Sequence, residues 1–384
     1  MAKKKLRIAL LGLGTVGRGV YDYITERDDM ELAYVLSLVL FDGITCPVAK
    51  NMEQILADET VDTVVEVIGG LHPAYEWVKA SLEAGKNVIT ANKLLIAAHY
   101  RELVELAEEK HVALRCTAAA GGGIPWLTTL ARTIEQEPVI HISGIMNGTT
   151  NFILDAMHTN GSDFAEVLAQ AQELGYAEAD PSADIDGLDI QRKAVITANV
   201  AFDACLCEAD VPVFGIRSVS SADIAAADGR GRICKMLAFG EKGTSGVSCY
   251  VEPCFVPAGE LEAAVSTNRN VISFDTELTG KESFYGQGAG RYPTAYNAVA
   301  DCVDIMNGVK SFYTRSFRSV PVDNGAAEHP YYVRFNGADD FLDSVSVEDC
   351  GEGVITMPVP VSKMHDWAAK AKEADPELFI AGLM

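Results

Sequence analysis

A chain of 384 residues is long for a single core and implies roughly two or three domains. Its 31 basic against 54 acidic residues leave a net charge of −23. That disfavours nucleic acid or an anionic membrane as main partner, since both need basic surface. No apolar run approaches the roughly 20 residues of a membrane span, and the basic start M-A-K-K-K-L-R-I-A-L-L has no secretory layout. Nine scattered cysteines read as reduced thiols in a cytoplasmic protein.

Leu6 to Leu11 is a continuous apolar strand, as in a parallel sheet covered on both faces. G-L-G-T-V-G follows, with Gly12, Gly14 and Gly17, and then a helical segment from Val16 to about Thr25. Strand, G-x-G-x-x-G and helix in that order are the setting of a dinucleotide fingerprint. Gly12 allows the tight turn, Gly14 the approach of the pyrophosphate and Gly17 close helix–strand packing. The helix start, Thr15 and Val16 included, offers N–H groups to phosphate. A strand near Leu32–Leu40 comes next; Asp42 is the only acid close by, with Ser37 also a candidate at its end. No arginine lies between Arg27 and Arg101, which favours NAD over NADP.

Three further strand–helix units are expected: 61–70 with a helix over 73–84, 86–93 with a helix over 98–110, and 112–116 with a helix to about Glu137. The alternation predicts a doubly wound parallel sheet, in which ligands bind beyond the carboxyl ends of the strands. That places Gly69–Gly70, Asn92–Lys93 and Gly121–Gly123 along one crevice. Lys93 reads equally well as a solvated loop lysine. After Val139 the pattern changes to strands at 139–147, 213–219, 247–256 and 271–279, with helices at 149–158, 162–174, 189–204 and 221–227. This predicts a second, α+β domain. A glycine turn at 286–290 feeds another helix, and Gly288 is a candidate phosphate contact. The acidic remainder suggests strands at 331–335 and 354–361 and a helix over 363–373.

The most informative stretch is G-Y-A-E-A-D-P-S-A-D-I-D-G-L-D-I-Q-R-K, with Glu178, Asp180, Asp184, Asp186 and Asp189 ahead of Lys193. On a helix, Asp189 and Lys193 lie one turn apart on one face. A carboxylate beside an ammonium can hold a lysine ready for proton transfer, and the other acids could recognise an amino group. The alternative is a solvated acidic loop with an ordinary surface ion pair. A calcium loop through D-I-D-G fails, because Lys193 falls where a bidentate glutamate is required.

Taken together, G-L-G-T-V-G, V-V-E-V-I-G-G, V-I-T-A-N-K, G-G-G-I-P, G-I-M-N-G-T-T-N-F-I-L, the acidic stretch and G-A-G-R-Y-P-T-A resemble the homoserine dehydrogenase family from about Ile8 to Asn307. The resemblance implies NAD(P)-dependent interconversion of L-aspartate 4-semialdehyde and L-homoserine in a homodimer or higher homo-oligomer. It implies a Rossmann-type nucleotide domain over 1–140 with 288–310, and an α+β substrate and dimerisation domain over 141–287. A shortened ACT-like remnant would occupy 311–384, and the shortening argues against threonine feedback. By match of motif, Lys193 is the general acid/base with Asp189 beside it, and Lys93 stands near the reacting groups. Glu178 takes the substrate ammonium, and Asp184 is another acid of the substrate pocket. The backbone at Gly148, Thr149 and Thr150 would help with the carboxylate. Gly12, Gly14, Thr15, Val16, Gly17, Gly69, Asn92, Lys93 and Gly288 fall to the cofactor.

The family also implies a monovalent cation held by a glutamate and by loop carbonyls. Here Thr117 stands in place of that glutamate, leaving the carbonyls of Ala120 and Gly122. A related aldehyde reductase with another substrate and a non-catalytic nucleotide-binding regulator are the competing functions. The regulator has no use for the set Lys193, Asp189, Glu178 and Lys93.

Overall fold

The apolar run near the start forms β1 (Leu6–Leu11), buried almost throughout, as a strand at the centre of a covered parallel sheet must be. The computed structural model describes residues 5–310 and 320–384; the expected C-terminal tail therefore begins, at 311–319, outside the described residues. Two compact units are present, Met1–Glu135 with Gln287–Arg318 and Gln136–Gly286 with Ser319–Met384.

In the first unit β1, β2 (Met30–Leu36), β3 (Thr63–Glu66), β4 (Asn87–Thr90) and β5 (Leu114–Arg115) form a parallel sheet in the order β2-β1-β3-β4-β5. Helices α1 (Thr15–Thr25), α2 (Met52–Ala57), α3 (Ala74–Glu83), α4 (Lys93–Glu109) and α5 (Trp126–Thr133) alternate with the strands. The chain reverses direction across β1, so the loops after β1 and β3 flank the switch point where such sheets take ligands. This is the expected Rossmann-type architecture.

The second unit holds β6 (Val139–Ile145), α6 (Gly148–Asn160), α7 (Phe164–Glu173), α8 (Ser182–Ile185), α9 (Leu188–Phe202) and α10 (Ser221–Asp228). Strands β7 (Arg232–Lys242), β8 (Val247–Pro257), β9 (Asn270–Thr276) and β10 (Gly280–Gly286) follow. Helix α11 (Arg291–Met306) belongs to the first unit and packs on α1, with Ala295, Ala298, Val299 and Cys302 joining Ile8, Leu10, Val20 and Ile24 in one core. The chain then completes the second unit with β11 (Glu328–His329), β12 (Tyr331–Arg334), α12 (Asp340–Val345), β13 (Ser346–Asp349), β14 (Val354–Thr356), β15 (Val359–Pro360), α13 (Val361–Ala374) and β16 (Phe379–Leu383).

Its large sheet runs β10-β9-β6-β7-β8-β16-β12-β14-β13. It is antiparallel except where β16 lies alongside β8. The mixed sheet with helices is the expected α+β class. Helix α9 supports the site from within: every residue from 193 to 202 is buried. A helix apolar on all sides is a core helix.

Several expected boundaries move for local reasons. Strand β2 stops at Leu36 and not Leu40, because the Ser37 hydroxyl accepts the Leu13 N–H at 3.1 Å and donates to the Val39 carbonyl at 2.9 Å. Lys93 opens α4 instead of ending a strand, since the Asn92 side chain caps the helix by accepting from Leu95 N–H at 3.2 Å. The expected strand at 213–219 reduces to a single bridge between Val213 and Val251. The strand expected at 354–361 breaks into β14 and β15, since the Pro358 and Pro360 nitrogens cannot donate to a ladder. Strands β7, β10, β11, β13 and β16 fall where no strand is expected from the sequence.

Close packing at the first loop gives a test. A Cβ on Gly17 would lie 2.1 Å from the Gly12 carbonyl oxygen, whereas a Cβ on Gly14 would meet nothing within 4 Å. In urea unfolding, Gly17→Ala is expected to lose about 1–3 kcal/mol, and Gly14→Ala to leave stability nearly unchanged. Equal losses in the two variants would contradict the packing.

Candidate active site

Two clusters carry the candidate residues, one in each unit. In the first unit Gly12 adopts φ +95°, a conformation that favours glycine. Helix α1 starts at Thr15 with Gly14 as its N-cap and no side-chain cap. The helix start therefore keeps a row of backbone N–H groups for an anion. Val16 follows in its first turn.

At the ends of β3 and β4 lies a buried network. Glu66 accepts from Thr90 Oγ1 at 2.5 Å and from the Ile68 and Gly69 N–H groups at 2.7 and 3.4 Å. Asn92 Nδ2 donates to the Gly70 carbonyl at 2.6 Å. The Gly69–Gly70 loop, both residues at positive φ, is held from two sides. Burial raises the pKa of Glu66 above its usual value, against hydrogen bonds that pull it down. Lys93 stands at the first position of α4, next to that network.

The third glycine loop meets the turn before α11. A Cβ on Gly122 would lie 2.3 Å from the Gly288 carbonyl, and Gly123 N–H donates to Gln287 O at 3.0 Å. Gly288 is thus placed by Gly122. Thr117 is fully engaged: its N–H and hydroxyl donate to Asp301 at 3.0 and 2.7 Å, and Asp301 also accepts from Arg115 at 2.9 Å. The Gly122 carbonyl, expected to serve a cation, instead accepts from Asn297 Nδ2 at 2.6 Å.

In the second unit the acidic stretch separates into distinct roles. Asp186 forms a two-pronged pair with Arg217 at 2.8 Å for each contact. Asp180 accepts from Ser182 N–H at 3.1 Å and sits on the surface. Asp184 and Asp189 turn inward, and both meet Asn147, whose Nδ2 donates to Asp184 at 2.7 Å and to Asp189 at 2.9 Å. Lys193 Nζ donates to Asp189 Oδ2 and to the Met146 carbonyl, each at 2.7 Å. The Lys193 and Asp189 side chains are 8% and 7% exposed, so the surface-pair alternative is overturned. Burial raises the pKa of Asp184, and the neighbouring charge of Asp189 adds to it.

The remaining expected contacts fall differently. The Thr149 hydroxyl donates to the Tyr176 carbonyl at 2.6 Å, anchoring the loop that carries Glu178. Glu178 itself is exposed. The Thr150 N–H is taken by Asn147 Oδ1 at 2.8 Å, so it is not a donor for a substrate carboxylate. Gly148 opens α6 hard against Asn268, whose carbonyl would lie 2.6 Å from an added Cβ.

The family model for the homoserine dehydrogenase NAD-binding domain matches residues 12–116, and the homoserine dehydrogenase model matches 125–303. The chain is 43% identical over 316 residues to homoserine dehydrogenase of Corynebacterium glutamicum, covering 77% of this chain and 71% of that protein. The chain belongs to the homoserine dehydrogenase family. The Mycobacterium bovis homoserine dehydrogenase is 37% identical over 359 residues, covering 88% of this chain and 81% of its own. A crystal structure of a homoserine dehydrogenase from Thiobacillus denitrificans superposes with a TM-score of 0.89 at 28% identity, spanning 100% of this chain and 99% of that one.

As a homoserine dehydrogenase, the chain is an oxidoreductase that interconverts L-aspartate 4-semialdehyde and L-homoserine with a nicotinamide dinucleotide. No helix among the described residues is long and apolar enough to cross a membrane.

Asn147 and Glu66 are among the polar residues of these clusters that went unassigned in the sequence. Asn147 sits in N-G-T-T, where an N-cap is the obvious reading; only the fold shows its amide joining two acids far along the chain. Glu66 is the lone acid in V-V-E-V-I, which is the available signal for a buried carboxylate at a strand end.

With its pKa raised, folded Glu66 keeps its proton at pH values where the unfolded chain has released it. Stability therefore falls as pH rises above the usual 4.5. Glu66→Gln has no such loss, so its melting temperature relative to the parent should climb as pH is raised through this window. A difference constant with pH would contradict the buried-carboxyl account.

Proposed function

We propose that Lys193 transfers the proton of the reaction and that Asp184, with Glu178, receives the substrate ammonium. The supporting observation is the charge balance of the buried cluster. Asp184 and Asp189 against Lys193 leave one negative charge over, with a single neutral amide, that of Asn147, bridging the two acids. A substrate α-ammonium is a cation of the right charge to complete it. Its positive charge would also offset the burial and like-charge repulsion that raise the Asp184 pKa.

Nicotinamide dinucleotide, bound at the glycine loops, supplies or accepts the hydride. Gly12, Gly14, Thr15, Val16 and Gly17 would hold its pyrophosphate, and Gly69, Asn92, Lys93 and Gly288 would take part in holding the rest. In the reducing direction Lys193 delivers the proton to the new alkoxide oxygen and stabilises the charge developing there. In the oxidising direction it takes the hydroxyl proton, with Asp189 and the Met146 carbonyl fixing where its Nζ stands. Lys93 acts near the reacting groups as a second cation.

The end of β2, in a stretch with no arginine between Arg27 and Arg101, supports a preference for NAD over NADP. Ser37 there spends its hydroxyl on backbone groups. The nearby guanidinium of Arg18 is stacked 3.3 Å from the centre of the Phe41 ring and is paired with Asp22.

The same reading gives nucleotide binding to 1–140 with 288–310, substrate binding and dimerisation to 141–287, and a shortened ACT-like role to 311–384. The working form is a homodimer or higher homo-oligomer in the cytoplasm, in keeping with nine cysteines that form no disulfide.

Absorbance of the reduced cofactor, followed with homoserine and either NAD or NADP, tests the assignment. Lys193→Ala is expected to lower kcat by about 10²–10⁴-fold. Asp184→Asn should retain the fold, since an amide oxygen can still accept from Asn147, and should act mainly by raising KM for homoserine. Full activity in Lys193→Ala would remove the proton-transfer role, and faster turnover with NADP would reverse the cofactor preference.

A further inference from the structure

The loop from Thr117 to Ile124 is where the family resemblance implies a monovalent cation, and its donor groups do not fit one. The cation that the resemblance implies is held by loop carbonyl oxygens together with a glutamate carboxylate. Thr117 supplies no carboxylate, and its hydroxyl is spent on Asp301 at 2.7 Å. Asn297, 1% exposed on α11, directs its Nδ2 at two loop carbonyls, Gly122 at 2.6 Å and Ile124 at 3.0 Å. Carbonyl oxygens can only accept, so these partners dictate which end of the amide faces them. The two N–H bonds of one amide nitrogen thus gather the same kind of oxygens that a sodium or potassium ion would gather.

We propose that the Asn297 side chain takes the place of the cation, so that this enzyme needs no monovalent ion to hold the loop. The amide is covalently tied to α11 and neutral, so its occupancy does not vary with the salt. The loop it closes also carries Gly122, the residue pressed against the Gly288 turn. The pairing is therefore placed to keep that part of the nucleotide cluster in shape.

The test compares sodium, potassium and choline chloride at equal ionic strength, reading melting temperature and turnover. The parent enzyme is expected to give the same values in all three. Asn297→Ala strips donors from two buried carbonyls, and Asn297→Asp adds a carboxylate beside them. Both variants should melt several degrees lower in choline and regain that loss in sodium or potassium. A parent enzyme that melts higher or turns over faster in sodium or potassium than in choline overturns the proposal. So does a lack of any ion response in whichever of the two variants folds.

Discussion

Placing a lysine and two carboxylates in a protein interior costs several kcal/mol per ion unless each meets a partner. The Asn147 amide is the piece that makes the arrangement tenable. It faces Asp184 and Asp189 with its donors while its oxygen caps α6. One side chain thereby ties the start of α6 to α8 and α9. Lys193 then has a fixed neighbour in Asp189, and the Met146 carbonyl just before Asn147 completes its seat. Losing the amide would leave two carboxylates close together with one ammonium to share.

The two clusters solve different problems with different materials. Around the glycine loops, the requirement is close backbone approach, met by residues without a Cβ: Gly17 against Gly12, and Gly122 against Gly288. Around Lys193 the requirement is charge in a dry place, met by side-chain hydrogen bonds on a core helix. Helix starts are used in two opposite ways, and the first cluster contains both. Helix α1 has no side-chain cap, whereas Asn147 and Asn92 close the starts of α6 and α4. An open helix start suits an anion; a closed one suits a rigid support for neighbouring groups.

Much of this was legible in the residues. The apolar run, glycines and helix of the first unit announce a parallel sheet because local pattern and fold agree there. The spacing of Asp189 and Lys193 gave their contact, though not their burial, which depends on sheet strands distant in the chain. The assembly of Asp184, Asp189 and Asn147 is likewise non-local, and no spacing rule joins residue 147 to residue 184. Long strands such as β7 were missed because R-I-C-K-M-L-A-F-G-E-K is buried on both faces for much of its length, so the alternation that marks a half-exposed strand is absent. Lys235 within it is buried and donates to Asn151 and to the Val265 carbonyl, a pairing again visible only in three dimensions.

Helix α11 lies far along the chain from the sheet it completes. Its Asp301 holds Arg115 and Thr117, and its Ala295 fits against Gly19 of α1. During synthesis the first 135 residues emerge with this face of their core uncovered. They must wait for the intervening 151 residues, 136–286, to be made before the closing helix arrives. The nucleotide unit is thus begun first and finished late, and until α11 is made the core that holds Val20 and Ile24 lacks Ala295, Ala298, Val299 and Cys302.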